Sequence, residues 1–405
     1  MDNATIVAQG EKYVMRTYGR YPMAIVRGEG ARVWDADGKE YLDFVAGLAV
    51  NSLGHCHPRV VEAIREQAGK LLHCSNLYWI EPQVELARLL VENSALDKVF
   101  FCNSGAEANE AAMKLARKYA KEHRGPESYE IISMRRSFHG RTLATLTATG
   151  QEMFHRGFAP LPAGFRYVPF NDLSSLRAAI GPRTCAVMLE PVQGEGGVYA
   201  ANKDYLQAVR ALCDDEGLLL IFDEVQCGLG RTGYLFAYQY YDVEPDILTL
   251  AKALAGGVPI GAMLAKEKAA AAFAPGDHAS TFGGNPLATA AGVAAFKALL
   301  AEEVVANARE QGEYFRRQLE GLVREFPQLT EVRGRGLLLG VEIDGPAAAV
   351  VAACQERGLL INAIHGHVLR FIPPLIVTRE DIDRAVAILR EALQEVLGEA
   401  AAGQQ

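Results

Sequence analysis

Lys252 lies in "DILTLAKALAGG", among small and aliphatic residues with no acidic neighbour until Asp246. Two readings compete for such a lysine. A surface lysine rests its stem on apolar residues and keeps its amine in water. A lysine held in a dry setting has a lowered pKa and becomes a nucleophile and proton carrier. Asp223 follows the apolar run "GLLLIF". A carboxylate at a buried strand end serves as a metal ligand, an ion-pair partner or the anchor of a cationic heterocycle. The third feature is "NSGAEANE", small residues opening a helix after "KVFFC". Ser104 there is an N-cap, and the free N–H groups and helix dipole also form an anion site suited to a phosphate.

Together these three demand a common support. From about residue 97 to 265, short apolar runs ("KVFFCN", "YEIISM", "TCAVMLEP", "GLLLIFDEV", "DILTLA", "PIGAMLA") alternate with segments of helical spacing such as "GAEANEAAMKLARKYAKEHR". Alternation of this kind predicts βαβ units and a mostly parallel sheet buried on both faces. In such sheets ligands bind at the carboxyl ends of the strands. Three strand ends then offer a phosphate cradle, a carboxylate and an apolar-flanked amine, which are the three requirements of pyridoxal phosphate. Gly256 and Gly257 are expected to let the backbone lie close to a flat ring. "GLGRTG", Gly228 to Gly233, matches dinucleotide-loop spacing, but the aromatic "YLFAYQYYDVEPD" that follows does not suit a glycine-packed helix.

After residue 285, "NPLATAAGVAAFKALLAEEVVANAREQGEYFRRQLEGLVREF" is alanine-rich and amphipathic, hence helical. It leads into a smaller α+β unit with "GRGLLLGVEI", a helix, "GLLINAI", "VLRFIPPLIV" and a last helix after Thr378, with a frayed "GEAAAGQQ" tail. "VRGEGARVWDADGKEYLDFVAG" reads as a β-meander turning at Asp37-Gly38, joined to the terminal lobe.

Bulk composition narrows the class. With 405 residues, 50% of them hydrophobic and 22% charged, the chain matches a soluble protein of two or three lobes. A net charge of −8 argues against nucleic acid or an anionic membrane surface as partner. No leader or membrane-spanning run is expected. Seven scattered cysteines suit a reducing cytoplasm rather than a disulfide framework. In "GHCHP", His55, Cys56 and His57 are too close together for ordinary zinc spacing, so a structural role and no metal site are expected.

"LEPVQGEGGV", "LLIFDEVQCGLGRTG", "PDILTLAKALAGGVPIGAML" and "STFGGNPLA" resemble the class III pyridoxal-phosphate aminotransferases, and the resemblance runs from "GEGARVWDADGKEYLDFVAG" to "VLRFIPPLIV". Within the class, "NSLGHCHP", "NSGAEANEAAMKLAR", "SFHGRTLATL" and "FNDL" are most similar to the acetylornithine aminotransferases. The resemblance implies an α/β protein of fold type I. A large domain with a mostly parallel seven-stranded sheet (residues 51–295) accompanies a small α+β domain built from both termini (1–50 and 296–405). It also implies a homodimer whose active sites are shared.

Carried over by position, Lys252 resembles the Schiff-base lysine and Asp223 the partner of the ring nitrogen. Ser104, Gly105 and Ala106 correspond to the phosphate cradle. Phe138 corresponds to the aromatic stacked on the ring, with His139 after it. Val225 and Gln226 match cofactor contacts, the latter near the ring hydroxyl, and Thr281 resembles the threonine reaching the neighbouring subunit's phosphate. Arg141 matches the substrate-carboxylate arginine, Ser280 a second substrate contact, and Arg370 a second arginine. Glu195 resembles the glutamate that pairs with that arginine in one half-reaction and swings away in the other. The implied reaction moves the terminal amine of N-acetylornithine to 2-oxoglutarate, giving N-acetylglutamate 5-semialdehyde and glutamate in arginine biosynthesis. "NLYW", residues 76 to 79, departs from the aromatic-Thr ending expected at the acyl pocket. N-succinylornithine, ornithine and 4-aminobutyrate therefore remain alternative donors, with a glutamate-semialdehyde-type aminomutase as a different enzyme class.

Overall fold

Of the 405 residues, the computed structural model describes 1–402, with side-chain surroundings through 398. The expected meander forms strands β1 (Ile25–Glu29), β2 (Arg32–Asp35) and β3 (Glu40–Asp43), paired antiparallel in sequence order. Gly38 takes φ +88° in the second turn, a backbone conformation that favours glycine.

The central sheet contains β4 (Lys98–Cys102), β5 (Glu130–Met134), β6 (Phe165–Val168), β7 (Thr184–Leu189), β10 (Leu219–Asp223), β11 (Ile247–Leu250) and β12 (Gly261–Ala265). A small hairpin of β8 (Val192–Gln193) and β9 (Tyr199–Ala200) sits between β7 and β10 in the chain. The order across the sheet is β4-β12-β11-β10-β7-β5-β6. Only β12 runs against its neighbours; the other pairings are parallel. Strands β5, β7, β10, β11 and β12 are buried at every residue, because helices cover both faces of the sheet. The seventh strand, β6, is absent from the six apolar runs. As a four-residue edge strand with one buried position, "FRYV" carries no apolar run to reveal it.

The C-terminal part holds β13 (Leu329–Arg335), β14 (Leu338–Ile343), β15 (Leu359–Leu360), β16 (Asn362–Ile364) and β17 (Val368–Phe371). Four of these form an antiparallel sheet in the order β13-β14-β17-β16, while β15 lies parallel beside β3. N-terminal and C-terminal strands thus share one sheet.

The alanine-rich run is two helices, Pro286–Ala301 and Val304–Glu325, broken where Glu303 takes φ +53°. No glycine or proline marks the break. The first helix is mostly buried, packing against helices Pro58–Ala68 and Glu81–Glu92, whereas the second is one-sided. The second helix packs instead against β13 and the last helix, and the carboxylate of Glu302 at the junction bonds His57 and Arg59. The last helix runs Arg379–Ala402, through much of the stretch expected to fray; residues 403–405 lie outside the described ones. Among the described residues no helix is long and apolar enough to cross a membrane.

Candidate active site

The carboxyl ends of β4, β7, β10 and β11 open into a cavity of about 450 Å³. Ser104, Gly105, Ala106, Phe138, His139, Arg141, Glu195, Asp223, Val225, Gln226 and Lys252 all line it. Residues spread over 149 positions of sequence meet there because parallel strands deliver their ends to one edge.

At β4 the helix Gly105–His123 is capped by Ser104, whose Oγ accepts from the Glu107 N–H at 3.2 Å. Glu107 returns the bond by accepting from the Asn103 N–H at 2.8 Å. The chain direction at the helix start is thereby set, with its first backbone N–H groups at the cavity. A Cβ on Gly105 would stand 2.7 Å from Val225 Cγ1, so Gly105 lets the helix approach the strand-end loop. Phe138 and Phe154 meet edge to face at 5.9 Å, and the Arg141 guanidinium lies 4.0 Å from the Phe154 ring centre.

Asp223 closes β10 and is buried. Its Oδ2 accepts from Asn109 Nδ2 at 2.7 Å and from His139 Nδ1 at 2.8 Å; its Oδ1 accepts from the Val225 N–H at 3.0 Å. Lys252 follows β11 and opens a short 3₁₀ turn with φ +36°, a strained conformation for a residue with a Cβ. Burial pulls its amine below the usual lysine range and Arg370 adds to this, while Glu195, Asp223 and Glu190 oppose it. A lowered lysine suits nucleophilic and proton-transfer work near neutral pH. Gly256 (φ +60°) and Gly257 (φ +114°) both need glycine's backbone freedom, but only Gly257 lines the cavity; Gly256 faces Val60.

Arg370, on β17, is buried and its Nη1 donates to Glu195 Oε1 at 2.7 Å. Gln226 Nε2 donates to the same oxygen at 3.0 Å. Burial alone would raise the Glu195 carboxyl, but Arg370 and Lys252 overcome it and bring the pKa down to about 2. A Cβ on Gly194 would fall 1.7 Å from Gln226 Oε1, so this glycine lets Glu195 reach the pair.

Three of the expected residues do not line this chain's cavity: Arg370 lies behind Glu195 and Gln226, and Ser280 and Thr281 stand to one side. Ser280 Oγ accepts from Asn103 Nδ2 and from the Gly283 N–H, and Thr281 is exposed. Three polar groups that the motifs do not mark stand at or behind the cavity wall, with Asn109 and Glu190 lining it and Thr249 behind Asn109. Asn109 sits under Asp223; Thr249 Oγ1 donates to Asn109 Oδ1 at 2.7 Å; and Glu190 accepts from the Phe138 and Gly194 N–H groups. Asn109 is a polar residue on a helix face whose neighbours are alanines, and that was the available signal. In "GLGRTG", buried Arg231 turns inward and donates to the Leu337 and Pro373 carbonyls, tying the loop to the C-terminal strands. His55 pairs with Asp43 and His57 with Glu302. Among the described residues no three His, Cys, Asp or Glu side chains are grouped to hold a metal.

Comparison with known proteins agrees with this geometry. Residues 13–393 match the family model "Aminotransferase class-III". The acetylornithine aminotransferase of Caldanaerobacter subterraneus subsp. tengcongensis is 56% identical over 96% of this chain and 100% of its own length. That of Methanocaldococcus jannaschii is 55% identical over 95% and 97%. Among solved structures, an ornithine aminotransferase from Toxoplasma gondii superposes with a TM-score of 0.95 at 38% identity, over 98% of this chain and 96% of that one. The acetylornithine aminotransferase of Elizabethkingia anophelis gives 0.88 at 37%, over 98% and 100%.

The cavity's donor set fits pyridoxal 5'-phosphate: a helix N-terminus for the phosphate, a buried carboxylate for the ring nitrogen and a low-pKa amine for the aldehyde. Sequence, sheet order and cavity lining converge, and the chain belongs to the class III aminotransferases, the pyridoxal-phosphate-dependent family.

Proposed function

We propose that this aminotransferase moves the terminal amine of N-acetylornithine to 2-oxoglutarate, giving N-acetylglutamate 5-semialdehyde and glutamate, as a cytoplasmic step of arginine biosynthesis. The observation that carries the donor class is the Glu195–Arg370 pair at 2.7 Å. Two guanidiniums are needed for a dicarboxylate such as 2-oxoglutarate, each best matched bidentately. A terminal-amine donor carries its carboxylate far from the reacting carbon and uses Arg141 alone, which has no carboxylate partner among the described residues. Arg370 would then be an uncompensated buried charge, and Glu195 neutralises it. The relatives named acetylornithine aminotransferase support the acyl-ornithine within that class.

When bound, pyridoxal phosphate supplies the electron sink for breaking the substrate's carbon–hydrogen bond. In this reading Lys252 Nζ anchors the cofactor and then carries the proton between substrate and cofactor carbons. Asp223 keeps a positive charge on the ring nitrogen, and the N-terminus of the helix starting at Gly105, with Ser104 and Ala106, holds the phosphate. Phe138, His139, Val225 and Gln226 line the ring, while Arg141 and Ser280 meet the substrate. Residues 51–295 act as the cofactor-binding domain, with 1–50 and 296–405 as the smaller one.

The working unit in this proposal is a homodimer. Leu77, Trp79 and Phe282 are 84%, 92% and 61% exposed, far more than large apolar side chains tolerate in a finished surface. Asn76 Nδ2 donates to the Ser280 and Gly283 carbonyls, so these segments form one patch beside Thr281. A second copy covering that patch would bring Thr281 towards its neighbour's phosphate.

The test is a donor panel with 2-oxoglutarate: N-acetylornithine, N-succinylornithine, ornithine and 4-aminobutyrate. N-acetylornithine should show the highest kcat/KM; a higher value for ornithine or another donor overturns the assignment. Product formed without 2-oxoglutarate would favour the aminomutase.

A further inference from the structure

Asp223 has a free acceptor position on one oxygen only, and Asn109 and Thr249 decide which oxygen that is. A carboxylate has about four acceptor positions, two on each oxygen. Oδ2 is filled by Asn109 Nδ2 (2.7 Å) and His139 Nδ1 (2.8 Å). Oδ1 takes only the Val225 N–H (3.0 Å), so the open position is on Oδ1.

Asn109 can fill Oδ2 only with its amide nitrogen turned that way, and its surroundings dictate this. On one side Thr249 Oγ1 donates to Asn109 Oδ1 at 2.7 Å; on the other the Asp223 carboxylate and the His139 carbonyl (2.8 Å) are both acceptors. A flipped amide would set oxygen against both acceptors. Thr249 is Asp223's neighbour in register across the parallel β10–β11 pair, so both side chains rise on the same face of the sheet. Helix Gly105–His123 places Asn109 over that face. All three side chains are buried, with 1% exposure at Asn109, 0% at Thr249 and 3% at Asp223. A hydroxyl, an amide and a carboxylate thus form a directed chain on three elements, ending at the open position on Oδ1.

We propose that Asn109 and Thr249 are positioning residues for the cofactor's ring nitrogen: Thr249 orients the Asn109 amide, which occupies Oδ2 and aims Oδ1 of Asp223 at the ring N–H. This deepens the reading of Asp223 given above and rests on it.

The test uses apoprotein titrated with pyridoxal phosphate and, separately, with its 1-deaza analogue, which has C–H in place of the ring nitrogen. Dissociation constants are read from cofactor absorbance. Thr249→Val removes the hydroxyl at nearly constant shape. Asn109→Asp puts a second carboxylate against Oδ2. Thr249→Ser keeps the donor. Thr249→Val and Asn109→Asp should weaken pyridoxal phosphate about tenfold, the scale of a hydrogen bond to a charged group, and leave the analogue within about twofold of wild type. Thr249→Ser should bind both as wild type does. Equal weakening of cofactor and analogue would reduce the chain to a packing role and overturn the proposal. Asp223→Asn separates the two levels. If it also weakens both equally, the assignment of Asp223 to the ring nitrogen fails and this inference falls with it. If Asp223→Asn discriminates and the Asn109 and Thr249 variants do not, only the inference fails.

Discussion

At the scale of single residues, Lys252 combines positive φ with a lowered amine pKa, and both oppose stability at neutral pH. Its folded-state pKa lies below the ordinary 10.5, so the native state binds fewer protons than the unfolded one between those values. The resulting penalty is full below the folded pKa and fades as pH rises towards 10.5. Lys252→Met should therefore stabilise the apoprotein at pH 7 by about 0.5–2 kcal/mol. The gain should shrink at pH 10, measured by thermal melts, while kcat falls about a thousandfold or more. Glu195, with a pKa of about 2, is ionised at any working pH. Its contribution to stability is present above its unfolded value and is lost only as pH falls through about 2. Glu195→Gln leaves Arg370 charged and half-satisfied. Single-turnover traces should show the donor half-reaction slowed about tenfold or more, the effect of an unpaired buried charge, with the 2-oxoglutarate half-reaction changed less. Equal losses would count against the switch.

Elements matter through how closely they approach. The phosphate cradle depends on the helix Gly105–His123 meeting the loop after β10, and the contact is Gly105 against Val225. Gly105→Ala should weaken pyridoxal phosphate binding by about 10- to 100-fold, the range expected for overpacking by one methyl, and Val225→Ala in the same chain should restore most of it. Equilibrium dialysis reads both. Five of the seven central strands were legible as apolar runs because burial on both faces removes polar residues from them, and β4, at one edge, still carries Phe100, Phe101 and Cys102 in a row. β6, at the other edge, was not, since its four residues hold one buried position and an arginine in the middle. The break at Glu303 was hidden for a different reason: both sides of it are strong helix formers and no glycine or proline separates them, so the run reads as one helix although its first part is buried nearly all round and its second part on one side only.

For the whole molecule, the exposed patch around Leu77, Trp79 and Phe282 predicts self-association. Leu77→Arg with Phe282→Asp should halve the sedimenting mass, and activity should drop about tenfold or more, because charges at the centre of an interface remove its anchoring contacts. Activity unchanged in a monomeric variant would refute shared active sites. Arg231 acts at the same scale inside one chain. Its bonds to the Leu337 and Pro373 carbonyls hold the loop after β10 against the strands that carry Arg370.

The sequence by itself determined the kinds of chemistry and where along the chain they fall. Apolar runs mark strands, parallel strands collect their ends at one edge, and so a lysine, a carboxylate and a helix start at three strand ends imply one site. Local pattern did not decide the pairings. Glu195 and Arg370 are 175 residues apart; the family resemblance implied that they pair, but only the packed fold brings the β17 arginine to the turn between β8 and β9. Nor does spacing show that Thr249 turns the Asn109 amide, or which oxygen of Asp223 is left open. Hydrogen bonds between distant side chains depend on register and on how helices seat over the sheet, and those are set only when the core packs.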